Sequence, residues 1–262
     1  MRAKFKQLRT GVLNLIENFL DVQIHRNPPF GTDVFDAVRN LRGWSANDVI
    51  FDVGANDGRT ALKLIQYFPD SSIHSFEPVF STFQKLSANT KDLDNINCYP
   101  IALGNENVYK SICLHERPSM NSFLPEWSNF VSEERVKVNT LDCVMEENGL
   151  DFIHFLKIDT EGYEIEVLEG AQKALGSHRI GIIQVEAGLD PAISPHTPFE
   201  KIRKFLSPMG YYAHGIFHQK RRRLNASPNW IKEESKVYRP SAIKYFDALF
   251  ICGSTQGINT SA

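Results

Sequence analysis

This 262-residue chain is poor in features that would commit it to a membrane, an oxidising compartment or a nucleic-acid coat. No stretch approaches 18 consecutive apolar residues, and the N-terminus carries no uninterrupted apolar core ahead of a small-residue cleavage site. A spanning helix and a secretory leader are therefore not expected. The sequons at Asn225 and Asn259 carry little weight without an export route. Cysteine is scarce: Cys98, Cys113, Cys143 and Cys252 are scattered, with no Cys-x-x-Cys pair and no histidines at a zinc-ligand spacing, which excludes a structural zinc knot. Three of the four sit in apolar runs and read as small buried hydrophobes in a reducing compartment, so a cytoplasmic location is expected. Neither sign of charge prevails. With 29 Lys and Arg against 31 Asp and Glu, the net charge is −2, unlike the strongly basic domains that coat nucleic acid. What is present is ordinary globular composition, with 42% apolar residues and 18 Phe to fill a core.

The pattern divides the chain into an N-terminal helical extension over 1–47, a domain over 48–253 and a tail over 254–262. Phe5, Leu8, Val12, Ile16 and Phe19 recur at spacings of three and four between Arg2 and Val22, which predicts an amphipathic helix. Such a helix packs on the domain or, given Lys4, Lys6 and Arg9, lies on a membrane surface as a peripheral contact. A second helix is expected from an N-cap at Thr32 through Val34, Phe35, Val38 and Leu41 to Gly43. From Asp48 onward short apolar runs alternate with amphipathic stretches, the signature of βα units around a parallel sheet. Strands are expected at 49–53, 72–76, 97–103, 152–158 and 180–185, and helices near 60–67, 80–89, 163–175 and 199–209. An insertion of a hairpin over Val108–Leu114 and a polar loop through Pro118, Asn121, Ser122 and Pro125 separates the third and fourth strands. Two late runs, 211–217 and 247–252, have a basic loop but no helix between them, and predict an antiparallel pair at one sheet edge.

The chemistry concentrates where a buried strand, Val49–Val53, runs into the turn Gly54, Ala55, Asn56, Asp57, Gly58 and then a helix. In an open α/β sheet, ligands bind outside the carboxyl ends of strands, where glycine admits close backbone approach. The next strand ends in Phe76, Glu77, Pro78, and a carboxylate at Glu77 suits the two hydroxyls of a ribose. The turn lacks the three glycines of a dinucleotide site. Its acids Asp52 and Asp57 would repel a pyrophosphate and suit a positively charged nucleoside, such as the ammonium and sulfonium of S-adenosylmethionine.

Seven segments in order, Asp52-Val-Gly-Ala-Asn-Asp-Gly58, Phe76-Glu-Pro78, Ile101-Ala-Leu-Gly104, Val138-Asn-Thr-Leu-Asp142, Leu156-Lys-Ile-Asp-Thr-Glu-Gly-Tyr-Glu164, Val167-Leu-Glu-Gly-Ala171 and Ile183-Gln-Val-Glu186, resemble the FkbM family of S-adenosylmethionine-dependent methyltransferases. The likeness covers about Val49 to Cys252. It implies a class I methyltransferase fold: a Rossmann-like α/β, seven-stranded, mostly parallel sheet with helices on both faces. It also implies methyl transfer, usually to an oxygen of a sugar, a polysaccharide or glycolipid unit, or a related natural product. Carried over, it places the cofactor's methionine end at Asp52, Gly54, Ala55, Asn56 and Gly58, the ribose at Glu77 and the adenine beside Ala102.

Asp159 and Glu161 follow the fourth strand, where donor and acceptor should meet. An alcohol is a poor nucleophile until a base takes its proton. Asp159 is the first candidate for that base, Glu161 the second, and His196 and His214 loop-supplied alternatives. Glu161 can equally cap the following helix. Lys157, inside an apolar strand, needs a carboxylate partner such as Asp159 or Glu186. Asp159, Glu161 and Glu186 offer oxygen ligands, yet the expectation is metal-independent turnover that chelation leaves unchanged. Asn121 and Ser122 are either acceptor or cofactor contacts or a plain surface turn. The basic run Lys220 to Arg223 suits an anionic acceptor or is a solvated loop. The acceptor is expected to be a small molecule or glycan, with no nucleic-acid partner. The rivals are a non-catalytic nucleoside-binding scaffold and a nucleic-acid methyltransferase, the latter without an Asn/Asp-Pro-Pro-Tyr tetrad.

Overall fold

The computed structural model describes residues 33–125, 130–190, 192, 194–223 and 241–253. The amphipathic segment 2–22, Thr32 and the tail 254–262 lie outside the described residues. Among those residues no helix is long and apolar enough to cross a membrane.

Seven strands form the main sheet: β1 (Val49–Val53), β2 (Ser72–Phe76), β3 (Ile96–Tyr99), β7 (Ile153–Ile158), β8 (Ile180–Gly188), β9 (Tyr211–Arg223) and β10 (Ser241–Cys252). Their order is β3-β2-β1-β7-β8-β10-β9. β3, β2, β1, β7 and β8 pair in parallel, and β10 runs antiparallel to both β8 and β9. This is the expected mostly parallel sheet with an antiparallel edge. The order reverses between β1 and β7, and that reversal opens the crevice where such folds bind ligands.

Both faces are covered because each central strand is apolar on both sides. Phe51, Val53, Leu156, Ile158, Ile183 and Val185 face one core with α4 (Leu141–Glu147), α5 (Glu164–Glu169), α6 (Gln172–Gly176) and α7 (Phe199–Leu206). Ile50, Ile73, Phe155 and Ile182 sit in adjacent register on the other face, against α1 (Val34–Asn40) and α2 (Arg59–Tyr67). Two residues further along the same strands the row becomes polar: Ser75 opposes Asp52, Asp52 opposes Lys157, and Lys157 opposes Gln184, all buried. α3 (Phe80–Thr90) follows β2.

Several sequence expectations are corrected. The helix assigned to the N-terminal extension starts on Asp33, whose carboxylate accepts the Phe35 N–H at 2.9 Å, and it buries Val34, Phe35 and Val38 in the sheet's core. It is part of the domain it was expected to precede. The expected strand 97–103 is two: β3 in the main sheet and β4 (Ala102–Leu103) in a separate one. The expected hairpin over Val108–Leu114 is one strand, β5, paired antiparallel with the unforeseen β6 (Ser132–Asn139), and β6 also pairs with β4. The helix expected over 163–175 breaks into α5 and α6 at Gly170, whose backbone lies against the carbonyl of Gly104. The last two strands are longer than expected, so the basic run Lys220 to Arg223 is strand rather than loop, paired with β10.

Candidate active site

A cavity of about 540 Å³ opens at the carboxyl ends of β1, β2, β7 and β8, within the size range of small-molecule sites. Val53, Phe76, Asp159 and Glu186, at or just past the ends of those strands, each contribute to its wall. Three groups of residues build it.

The first is the turn after β1. Gly54 has φ 79°, and a Cβ there would collide with the carbonyl of Asp159, so only glycine lets this turn pass across the end of β7. The Gly54 and Ala55 N–H groups both donate to the Phe76 carbonyl, at 3.1 and 3.0 Å, which ties the turn to the end of β2. Asn56 is also left-handed, at φ 49°. Gly54, Ala55 and Asn56 line the cavity. Gly58 does not. It is the left-handed N-cap of α2, and a Cβ there would press on Leu86 of α3 at 2.9 Å, so its role is to let two helices approach. Asp52 does not line the cavity either; it is fully buried one layer behind.

The second group is Glu77 and the apolar wall beside it. The Glu77 carboxylate accepts the N–H of Asn56 and of Val79, both at 3.0 Å, and lines the cavity while only 7% exposed. Burial pushes its carboxyl up to about 7, and the two N–H donors only partly oppose this. Ala102, Leu103 and Ile112 of the small sheet join Phe76 as an apolar wall. Ala102 lines the cavity from a strand that belongs to the small sheet.

The third group is acidic. Asp159, Glu161 and Glu186 all line the cavity. Lys157 Nζ lies 3.1 Å from Asp52 Oδ1 and 3.3 Å from Asp159 Oδ2, and two carboxylates around one buried ammonium hold the lysine charged, its pKa raised. Burial drives the Asp159 carboxyl up, but Lys157 overrides it and the net direction is down. Asp52, deeper, is moved up by its burial despite the same lysine. Glu161 stands at φ 52°, an uncommon conformation for a side-chain-bearing residue. Burial carries its carboxyl up to about 7, with His196 pulling down and Asp159 pushing up. Burial raises Glu186 well above the carboxylate range, and Asp159 and Glu161 add to it.

Glu161 does not cap the next helix. The N-cap of that helix, Tyr163, makes no side-chain cap bond either, and Glu164, quoted above only as part of a motif, braces the loop before the helix instead. Glu164 is fully buried and accepts N–H groups from Gly162 at 2.8 Å, Thr197 at 3.0 Å and Thr160 at 3.3 Å. It thereby joins the loop after β7 to the loop after β8. Ser122, expected as an acceptor contact or a surface turn, is buried and donates to the Glu161 carbonyl at 2.7 Å; Asn121 lines the cavity and accepts the His115 N–H at 2.9 Å. Tyr245 arrives from β10 to complete the wall, its hydroxyl pushed up to about 12 by burial and the nearby carboxylates.

The two histidines part company. His196 is 2% exposed, with Nε2 3.7 Å from Glu161 Oε2 and Nδ1 3.4 Å from Glu186 Oε2, immediately behind the cavity's acidic wall. His214 is exposed in the middle of edge strand β9, flanked by Ala213 opposite Phe250 and Gly215 opposite Leu249. Among the described residues none from β9 lines the cavity, and His214 is not brought to the site.

Comparison with known proteins identifies the family. Residues 52–212 match the methyltransferase FkbM domain, more than half of the chain. A hexuronic acid methyltransferase, AglP, of Haloferax volcanii is 29% identical over 148 residues, covering 55% of this chain and 59% of that protein. A 2-O-methyltransferase, NoeI, of Sinorhizobium fredii is 25% identical over 148 residues, covering 50% of this chain and 60% of that protein. The alignments thus span less than two thirds of either relative. Among solved structures, a precorrin-6y C5,15-methyltransferase of Geobacter metallireducens superposes with a TM-score of 0.44 at 12% identity, covering 87% of this chain and 93% of that one. By the extent of its domain match, the chain belongs to the FkbM family of S-adenosylmethionine-dependent methyltransferases.

Proposed function

We propose that this protein transfers the methyl group of S-adenosylmethionine to a hydroxyl oxygen of a carbohydrate or carbohydrate-containing metabolite. One observation carries the reading: Asp159, Glu161 and Glu186 converge on the same cavity that Gly54 and Glu77 line. Carboxyl groups accept hydrogen bonds from hydroxyls, so this wall suits a hydroxyl-bearing acceptor. The relatives described as acting on hexuronic acid and as a 2-O-methyltransferase support the same class of acceptor.

The chain's residues fit the cofactor. Glu77 offers its carboxylate to the ribose diol, the turn Gly54 to Asn56 receives the methionine end, and the wall of Phe76, Ala102, Leu103 and Ile112 receives the adenine. When bound, the cofactor supplies a sulfonium-borne methyl group, which leaves its electron pair on sulfur. Asp159, kept ionised by Lys157 and about one third exposed to the cavity, takes the hydroxyl proton as the oxygen–carbon bond forms. Holding the acceptor oxygen in line within this half-enclosed pocket supplies the rest of the acceleration.

The test pairs calorimetry with transfer. S-adenosylhomocysteine binds at micromolar concentrations, NAD does not, and Glu77→Ala abolishes binding. Labelled methyl then appears as an O-methyl group on a member of a panel of neutral sugars, uronates and glycolipids. Cofactor binding with no transfer to any hydroxyl on that panel, or label on nitrogen, would overturn the reading.

A further inference from the structure

The sequence offers Asp159, Glu161 and Glu186 as oxygen ligands at neighbouring strand ends, with metal-free turnover as the expectation. The fold brings an imidazole to two of them. His196 comes from the loop between β8 and α7, and one atom each from Glu161, Glu186 and His196 lies within 4.8 Å of the others. Two carboxylates that line the cavity thus meet one imidazole that backs it. His196 Nδ1 is buried without an aligned hydrogen bond, with Glu186 Oε2 at 3.4 Å and Glu164 Oε1 at 4.0 Å. A buried polar atom without an aligned partner is costly, and a metal ion among these carboxylates would supply one.

The cluster is held in place from several sides. The edge of Tyr245 meets the imidazole face at 4.6 Å between ring centres. The Gly188 N–H donates to the Thr197 carbonyl at 3.0 Å, and Thr197 in turn donates to Glu164. The Ser122 hydroxyl holds the Glu161 carbonyl from the other side. Lys157 is committed to Asp52 and Asp159.

We propose that Glu161, Glu186 and His196 bind a divalent cation whose open positions face the cavity. Two oxygens and one nitrogen, without sulfur, form a mixed set best matched by Mn²⁺, since carboxylates favour hard ions and imidazole the first-row metals. Placed there, the cation receives the acceptor hydroxyl and lowers its pKa, which suits a base as weak as Asp159. That consequence rests on the methyltransferase reading; the binding itself does not.

The experiment titrates the purified full chain with Mn²⁺, following the paramagnetic resonance of the free ion, with S-adenosylhomocysteine calorimetry on the same samples. One saturable site is expected, weakened at least tenfold in His196→Asn and in Glu186→Gln, while both variants keep nucleoside binding as proof of fold. Glu161→Gln, at a partly exposed side chain, repeats the loss with less risk to folding. Absence of saturable Mn²⁺ binding overturns the proposal, as does binding that survives His196→Asn or Glu161→Gln. Mn²⁺ binding without nucleoside binding in the unmodified chain leaves the metal site standing and removes the methyltransferase reading instead.

Discussion

Acidification should weaken cofactor binding through Glu77. In the free protein burial sets this carboxyl at about 7, so near neutrality it is roughly half protonated. A ribose diol donates two hydrogen bonds and needs the ionised form, whose charge-assisted bonds are roughly twice as strong as neutral ones. If only the ionised form binds, the apparent Kd scales as one plus the ratio of proton concentration to Ka. From pH 8 to pH 6 it rises about tenfold, equivalent to about 1.4 kcal/mol. Near pH 7 binding should release about half a proton, visible when the calorimetric enthalpy is measured in buffers of different ionisation heat. Glu161 and His196 also titrate near the cavity, so the contribution is isolated by difference from Glu77→Gln, which keeps the shape but cannot ionise. The variant should bind more weakly at pH 8 and lose this part of the pH slope. Equal slopes in wild type and Glu77→Gln between pH 6 and 8 would refute the assignment of the ribose to this carboxylate.

Two further outcomes follow from burial and position. Lys157→Met leaves Asp52 and Asp159 around an uncharged side chain and should destabilise the fold by roughly 3–5 kcal/mol, read in denaturant unfolding; restoring most of that with the double change Lys157→Met, Asp52→Asn confirms that unpaired charge is the cause. His214→Ala, at an exposed mid-strand position outside the cavity, should leave methyl transfer within about twofold of wild type, and a loss beyond tenfold would restore it as a catalytic candidate.

The residues that declared themselves in sequence are those whose role is local. Val49–Val53 and Ser72–Phe76 are bounded by turn chemistry and fell on their strands residue for residue, and Gly54 and Glu77 were legible because each sits just past one of them. Alternation failed where pairing is long-range. Val108–Leu114 carries a strand pattern that fits a hairpin equally well, and its partner, Ser132–Asn139, is so charged that no apolar run betrayed it. Asp52 illustrates a different limit: a carboxylate beside a glycine turn looks like a ligand contact, and only the register opposite Lys157 shows that it is buried behind the site. His196 and Glu164, 32 positions apart, meet through two loops at adjacent strand ends, a proximity which no spacing rule encodes. Glu161 was found as an acid, but its strained φ, the reason it points where it does, is a property of the folded loop.

The buried row of Ser75, Asp52, Lys157 and Gln184 has a consequence for how the sheet finds its pairing. A slip of one residue between parallel strands is penalised by alternation, since it turns every apolar side chain over. A slip of two residues escapes that penalty, because Ile50, Ile73, Phe155 and Ile182 would still face the same helices. It would, however, set Lys157 against Ile50 and strand Asp52 without its ammonium, at a cost of several kcal/mol. The ion pair at the heart of the sheet therefore acts as an index mark, rejecting the one family of mispairings that greasy strands alone would tolerate.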